Sequence, residues 1–219
     1  MHGFQWSFSS LKDFVNCPKQ YYEVKIARTF TKEVTEQMRY GTAVHKACED
    51  YVRDGTPLAK NYQRYQRLLD AVLDSPGDRY VEHKMGLTKE GVACDFDAED
   101  RWVRGIVDVL TVHRDVAWLV DYKTGNARYP DTKQLKLMAL MTFAHFPEVQ
   151  SIRGGLLFLA HDVFIDERYE RRDVEQIWRT FHPDLMRLQI SYDKNVWPAN
   201  PTGLCGWCPV NTCKFHRER

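Results

Sequence analysis

Gly105-Ile106-Val107-Asp108-Val109-Leu110, followed after a short connection by Trp118-Leu119-Val120-Asp121-Tyr122-Lys123-Thr124-Gly125, reads as two buried strands. Each is a run of apolar, largely β-branched residues. Yet the first carries a carboxylate in its middle, and the second ends on a carboxylate and an ammonium two positions apart. Charges so placed are costly to bury unless something compensates them. Side chains alternate across a strand, so Asp121 and Lys123 project from one face, and a hairpin pairing would let Asp108 join them. Two carboxylates beside a lysine make a site for a hard divalent cation next to a developing negative charge, the arrangement phosphodiester hydrolysis needs.

Ordinary explanations account for part of this. Asp121 could be a strand-end turn residue, since Thr124-Gly125-Asn126 follows and Gly and Asn punctuate turns. Asp108 has no such excuse, because it sits between Val107 and Val109 in a strand whose other face also looks apolar. Asp-x-Lys alone is a weak motif, and its weight comes from what surrounds it.

Outward from these strands, the chain alternates helical and extended patterns. Ser10 with Asp13 has capping-box spacing and predicts a helix that Cys17-Pro18 interrupts; Pro18 then opens a second piece through Tyr21, Tyr22 and Ile26. From Thr42 to about Arg53 the apolar residues Ala43, Val44, Ala47, Cys48, Tyr51 and Val52 recur at helical spacing until Gly55-Thr56-Pro57. A further helix is expected at about Tyr62 to Leu73, before a Pro76-Gly77 turn. Strands follow at about Tyr80 to Leu87, Trp102 to Val112 and Val116 to Tyr122. Gln134 to Phe146 returns to helix, with Leu135, Met138, Thr142 and Phe146 along one side. Leu156 to Ile165 reads as one more strand, and Val174 to Leu188 as helix with an irregularity at Pro183. That order predicts an α/β fold, a mixed central sheet flanked by helices.

Composition agrees with a single enzyme domain: 219 residues, 43% of them hydrophobic, are enough to bury a sizeable core. The formal charge is +1, from 31 basic and 30 acidic residues, so attraction to nucleic acid would have to come from local clustering. No apolar signal run opens the chain and no stretch approaches the ~18 apolar residues that span a bilayer, so no membrane association and a cytoplasmic location are expected. In a reducing compartment, six cysteines are thiols or metal ligands before they are disulfides.

Cys205-Gly206-Trp207-Cys208 places two thiols on one tight loop, with Cys213 five positions later and Pro209 stiffening the connection. Three thiolates want a fourth ligand. Cys48, on an apolar helix face, and Cys94, on a strand-like segment, read as ordinary small apolar residues. His45 and Glu49 lie four apart and share a helix stripe distinct from that of Val44, Cys48 and Tyr51. By spacing alone His45 is an unremarkable surface or core histidine. Glu82, within Val81-Glu82-His83-Lys84-Met85, could approach a cation held by the aspartates but has the alternating surroundings of a solvated strand face.

With Ser7-Phe8-Ser9-Ser10-Leu11 running into Cys17-Pro18, then Gly41-Thr42-Ala43-Val44-His45, Asp108, Asp121-Tyr122-Lys123-Thr124-Gly125, Gln134-Leu135 and the three closing cysteines, nearly the whole chain resembles the PD-(D/E)XK nucleases. The likeness is to the RecB-like exonuclease branch, which includes the AddB nuclease domain and the nucleases of CRISPR adaptation, and within it to the compact single-domain versions of bacteriophages. It implies a restriction-endonuclease-like core over residues 41–165. An N-terminal helical segment, 1–40, would carry Cys17, and 166–219 would hold the last helix and the cysteine loop, all within one domain.

The resemblance also implies site residues. Mg²⁺ or Mn²⁺ would be held by Asp108, Asp121, the Tyr122 carbonyl and His45, the last matching the family histidine that binds the catalytic metal in many members. Lys123 would orient the attacking water or stabilise charge on the phosphate, a tuned general base being the less favoured role because a lysine beside two carboxylates keeps its proton. Gln134 would lie near the active site and contact DNA. Met138 stands where the family commonly has tyrosine, so no tyrosine role carries over. Cys17 would be the fourth ligand that closes a 4Fe-4S cluster with Cys205, Cys208 and Cys213. The spacing after Cys208 is one residue shorter than the commonest family form and His216 is close, so structural Zn²⁺ on the four cysteines, or with His216 replacing one, stays open.

For DNA, Arg101, Arg104, Arg128 and Lys133 bracket the site in sequence and Tyr129 could stack on a base. No helix carries a basic run suited to reading a major groove, so binding without sequence specificity is expected. The expected function is a metal-dependent DNA exonuclease acting on single-stranded ends in recombination, repair or phage DNA processing, with recombination or replication proteins as further partners. A non-catalytic DNA-end or partner-binding module is the competing class, though it has no reason to bury Asp108, Asp121 and Lys123 together. A cluster-based redox sensor has only the cysteines in its favour.

Overall fold

Among residues 4–217, those that the computed structural model describes, the helices are α1 (Phe8–Asn16), α2 (Pro18–Tyr21), α3 (Glu36–Asp54), α4 (Gln66–Leu73), α5 (Lys133–His145), α6 (Val174–Arg179) and α7 (His182–Lys194). The strands are β1 (Asp78–Leu87), β2 (Ala93–Cys94), β3 (Val103–His113), β4 (Val116–Lys123), β5 (Ser151–Phe158) and β6 (Val163–Glu170). Among the described residues no helix is long and apolar enough to cross a membrane. The backbone divides into one unit spanning Glu36–Trp178 and another made of Met1–Thr35 with Arg179–Arg219. These bounds differ from the expected 40/41 and 165/166, because α3 begins at Glu36 and β6 adds a sheet strand through Glu170. The outermost residues of the expected ranges, 1–3 and 218–219, lie outside the described residues.

In the larger unit the sheet order is β2-β1-β3-β4-β5-β6, antiparallel except where β4 runs parallel to β5. A parallel pair needs a crossover, and α5 supplies it. Val44, Cys48 and Val52 of α3 and Leu69 of α4 bury one core with Val109, Val120 and Tyr122. On β5, Gly154 leaves room for the Tyr169 ring, from which a Cβ there would lie 3.3 Å, while Leu135 of α5 and Leu119 would be in ordinary contact with it. Where one apolar side was expected, α5 is buried nearly all round, Leu137, Ala139, Leu140 and Met141 included. A helix that is apolar on every face is an interior helix.

The mixed α/β sheet flanked by helices appears as expected. Leu156 to Ile165 does not form a single strand: it is the end of β5, a turn and the start of β6. Asp162 takes the left-handed conformation (φ 53°) in that turn, which an aspartate tolerates without the Gly or Pro that would have marked it in the sequence. Where one helix with an irregularity at Pro183 was expected, two form: the chain breaks at 180–181 between α6 and α7, and Pro183 lies in the first turn of α7.

In the smaller unit the N-cap of α1 stands three residues before the expected one. Ser7 is the N-cap: its hydroxyl accepts the Ser10 N–H at 3.3 Å, and the Ser10 hydroxyl accepts the Ser7 N–H at 2.8 Å. Pro18 opens α2 as expected, and a π-helical turn continues over Tyr22–Ile26. Trp197 gathers an aromatic core, packing on Phe14, Tyr21, Tyr22 and Tyr192.

Candidate active site

The β3–β4 ladder ends with Val109 opposite Val120, one step before Asp108 and Asp121. There the Asp108 carboxylate takes the place of a backbone carbonyl: its Oδ2 accepts the Tyr122 N–H at 2.6 Å. This bond satisfies an amide that would otherwise be buried unpaired, and it draws Asp108 toward the end of β4.

Asp121 is 3% exposed and held from two sides. Gln134, at the start of α5, donates its amide to Oδ1 at 2.7 Å and accepts the Lys123 ammonium on its own oxygen at 2.9 Å. Lys123 Nζ also lies 2.5 Å from Asp121 Oδ2. That contact is an ion pair out of line for a hydrogen bond, so Oδ2 remains a buried oxygen with no hydrogen-bond partner. Burial, then the neighbouring Asp108 charge, pushes the Asp121 carboxyl up to about 6, against the pull of Lys123 and His45.

His45 Nδ1 is 3.4 Å from Asp108 Oδ2. Burial lowers its pKa, but the Asp108 contact and the charges of Asp108 and Asp121 outweigh that, and the net direction is up. Gly41, one turn earlier on α3, permits the approach to the loop after Lys123: a Cβ there would lie 3.2 Å from the Thr124 hydroxyl. The Tyr122 ring is buried and meets His45 edge-on, centroids 6.0 Å apart. The structure thus gathers His45, Asp108, Asp121, Tyr122, Lys123 and Gln134 around the middle of β3 and the end of β4.

Glu82 belongs to the same neighbourhood rather than to a solvated face. It sits between the pairs Val81–Val109 and His83–Val107, hence across from Asp108, and its φ of 51° is rare for a residue with a side chain. Burial, then Asp108 and Glu49, raise its pKa. Arg53 pairs with Glu49 and donates to the Val81 carbonyl at 3.0 Å, fixing α3 over this bend. The sequence offered Glu82 only as a lesser candidate, because it does not show that β1 pairs with β3.

Arg101 bonds the Ala98 carbonyl, Arg104 pairs with Asp97, and Arg128 lies over the ring of Tyr129, which is 81% exposed just after the site.

Among the described residues no three His, Cys, Asp or Glu side chains already converge as metal ligands would. The donor set nonetheless fits a hard divalent cation. Two buried carboxylates stand together, and burial first, then the Asp108 charge, raise the Asp121 pKa, so a bound cation would relieve both.

A second constellation lies in the smaller unit. Cys17, Cys205, Cys208, Cys213 and His216 line one small pocket. The Asn200 N–H meets the Cys17 sulfur at 3.4 Å and the Thr202 N–H meets that of Cys205 at 3.3 Å. Burial raises the Cys208 pKa, the Val210 backbone opposes this by bonding its sulfur, and the other three cysteines add to the rise. Thiols are ligands for soft cations, though the four that line this pocket do not already converge as bound ligands would. Cys48 is apart from them, buried on α3, its thiol pushed up to about 12 by burial and by Asp108. Cys94 lies on β2.

The sequence matches the PD-(D/E)XK nuclease superfamily over residues 5–213. Among solved structures, one of a candidate exonuclease from Eubacterium rectale aligns over 98% of this chain and 88% of its own, with a TM-score of 0.52 at 13% identity. The structure of SSO0001 covers 99% of this chain and 89% of its own, at 14% identity and a TM-score of 0.45. At such identities the first likeness speaks for the fold alone. No curated protein matches the sequence.

Proposed function

The chain belongs to the PD-(D/E)XK nuclease superfamily, and from that premise we propose that it is a Mg²⁺- or Mn²⁺-dependent deoxyribonuclease of the RecB-like branch, an exonuclease acting on single-stranded DNA ends. The observation that carries this reading is the pair of buried carboxylates, Asp121 and Asp108, with the Lys123 ammonium 2.5 Å from Asp121 Oδ2. Two carboxylates that only supported the fold would not be buried together.

Asp108, Asp121, His45 and the Tyr122 carbonyl are the residues that would hold the metal. When bound, it acidifies a water and polarises the scissile phosphate. Lys123, ion-paired with its carboxylate neighbour, places positive charge where the phosphate gathers negative charge. Gln134 fixes that ammonium and the Asp121 carboxylate relative to one another through its two hydrogen bonds. Asp108 holds the end of β4 in register through the Tyr122 N–H. Exposed Tyr129 with Arg128 beside it suits stacking and phosphate contact by an unpaired strand.

Cys17, Cys205, Cys208 and Cys213 would bind a 4Fe-4S cluster, with structural zinc the alternative. Their place around one pocket supports a metal, and a pathway in recombination, repair or phage DNA processing, in the cytoplasm of a bacterium or of a phage-infected host, suits free thiols. The test is degradation of end-labelled linear single-stranded DNA beside circular single-stranded DNA and duplex, each with Mg²⁺ or Mn²⁺. Loss of the linear single strand alone is expected; equal cutting of the circle would overturn the exonuclease assignment.

A further inference from the structure

The first turns of α3, which lead into the site, carry an aromatic cluster that the proposed chemistry does not use. Tyr40 is 38% exposed and precedes Gly41, where a Cβ would lie 3.2 Å from the Thr124 hydroxyl just past Lys123. Five residues later on the same helix, about 7.5 Å along its axis, His45 stands beside Asp108. Facing Tyr40, the chain that enters α4 supplies Tyr62, ring centroids 6.3 Å apart, and Tyr65, whose hydroxyl is 3.0 Å from that of Tyr40. Arg64 lies over the Tyr65 ring, its guanidinium carbon 4.8 Å from the centroid. Its Nη2 donates to the Tyr40 and Tyr65 hydroxyls at 3.1 and 2.7 Å, and its Nε and Nη1 meet no acceptor among the described residues. Arg53, Arg67, Arg104 and Arg153 each face an acidic side chain. Arg64 does not: two neutral phenols hold it, and its charge is left uncompensated.

We propose that Tyr40 and Arg64 form a subsite for the nucleotide next to the scissile phosphate, an unpaired base stacking on the Tyr40 ring while Arg64 takes its phosphate; this rests on the reading of the chain as a nuclease of single-stranded DNA. Stacking needs a base free of its partner strand, and an arginine already fixed by two phenols loses little entropy on meeting a phosphate. The pair therefore selects unpaired over duplex DNA. The Tyr40 hydroxyl serves Arg64, and its ring serves the base.

The experiment measures binding of fluorescein-labelled oligothymidine and of a labelled blunt duplex in EDTA, over a series of salt concentrations, for wild type, Arg64→Gln, Tyr40→Leu and Tyr40→Phe, with a thermal melt of each. Arg64→Gln, which keeps an amide donor for the phenols, should weaken single-strand binding about tenfold and reduce the slope of log affinity against log salt by about 0.7, the share of one phosphate. Tyr40→Leu should lose about tenfold with its slope unchanged, while Tyr40→Phe, which keeps the ring, stays near wild type. Duplex binding should move in none of them. Unchanged single-strand affinity in either folded Arg64→Gln or folded Tyr40→Leu overturns the subsite, as does an equal loss in Tyr40→Phe or an equal loss of duplex binding, and the nuclease reading survives each of these. If Arg64→Gln does not fold, the two Tyr40 variants decide alone. Wild type that binds the duplex as tightly as the single strand overturns the single-strand reading itself, and the inference with it.

Discussion

The Asp108 carboxylate and the Tyr122 amide are joined by a hydrogen bond of 2.6 Å, so the strand that ends in Asp121 and Lys123 is tied to its neighbour by a side chain where the ladder has stopped. Asp108 therefore serves both stability and chemistry, and two substitutions separate these roles. Asp108→Ala should lower stability by about 1–3 kcal/mol, the cost of leaving a buried N–H unpaired. Asp108→Asn keeps an acceptor and should melt closer to wild type. Both should lose cleavage. Thermal melts beside a DNA degradation assay check this; an active Asp108→Asn protein would remove its charge from the reaction.

Asp121 is expected to oppose folding in metal-free protein. Its carboxyl rises from 3.8 to about 6 on folding, so the folded chain binds that proton more tightly than the unfolded chain, and stability is gained as pH falls from about 6 toward about 4. Asp121→Asn should thus stabilise the protein in chelator at pH 8 by on the order of 2 kcal/mol, with the gain disappearing near pH 4. Denaturant titrations at the two pH values give the comparison, and a destabilised variant at pH 8 would contradict it.

Much of this site was legible because strand pattern and charge conflict at Asp108, Asp121 and Lys123, and buried strands rarely tolerate such charges without cause. The antiparallel pairing of β3 with β4 followed from their short connection. Glu82 was not legible in the same way: its place across from Asp108 depends on the β1–β3 register and on a left-handed backbone, neither of which leaves a mark in local composition. The β5–β6 hairpin was missed because Asp162, not glycine, makes its turn. Ser7 and Ser10 both suit a helix start, and only the paired hydrogen bonds of the structure decide between them.

Gln134 bridges Lys123 and Asp121, so its removal should disturb orientation more than substrate binding. Gln134→Leu is expected to lower kcat by about 10²-fold with little change in KM, since misplacement of a charged group acts on the transition state. A pure KM effect would instead place Gln134 in DNA contact alone.

Joining Cys17 to Cys205, Cys208 and Cys213 through a metal would close a very long loop and remove entropy from the unfolded chain. Cys17→Ser should lower Tm and release metal, with activity lost as a consequence of unfolding. Metal content unchanged in this variant would take Cys17 out of the site.

The most direct test of the active-site assignment is single-stranded DNA hydrolysis by wild type, Asp121→Ala and Lys123→Ala with Mg²⁺, with Mn²⁺ and with excess EDTA, each protein also melted to verify its fold. Cleavage by wild type that stops in EDTA and returns with added metal, together with a loss of at least about 10²-fold in both folded variants, is the predicted result. Wild-type rates in either variant, or full activity in excess chelator, would contradict it.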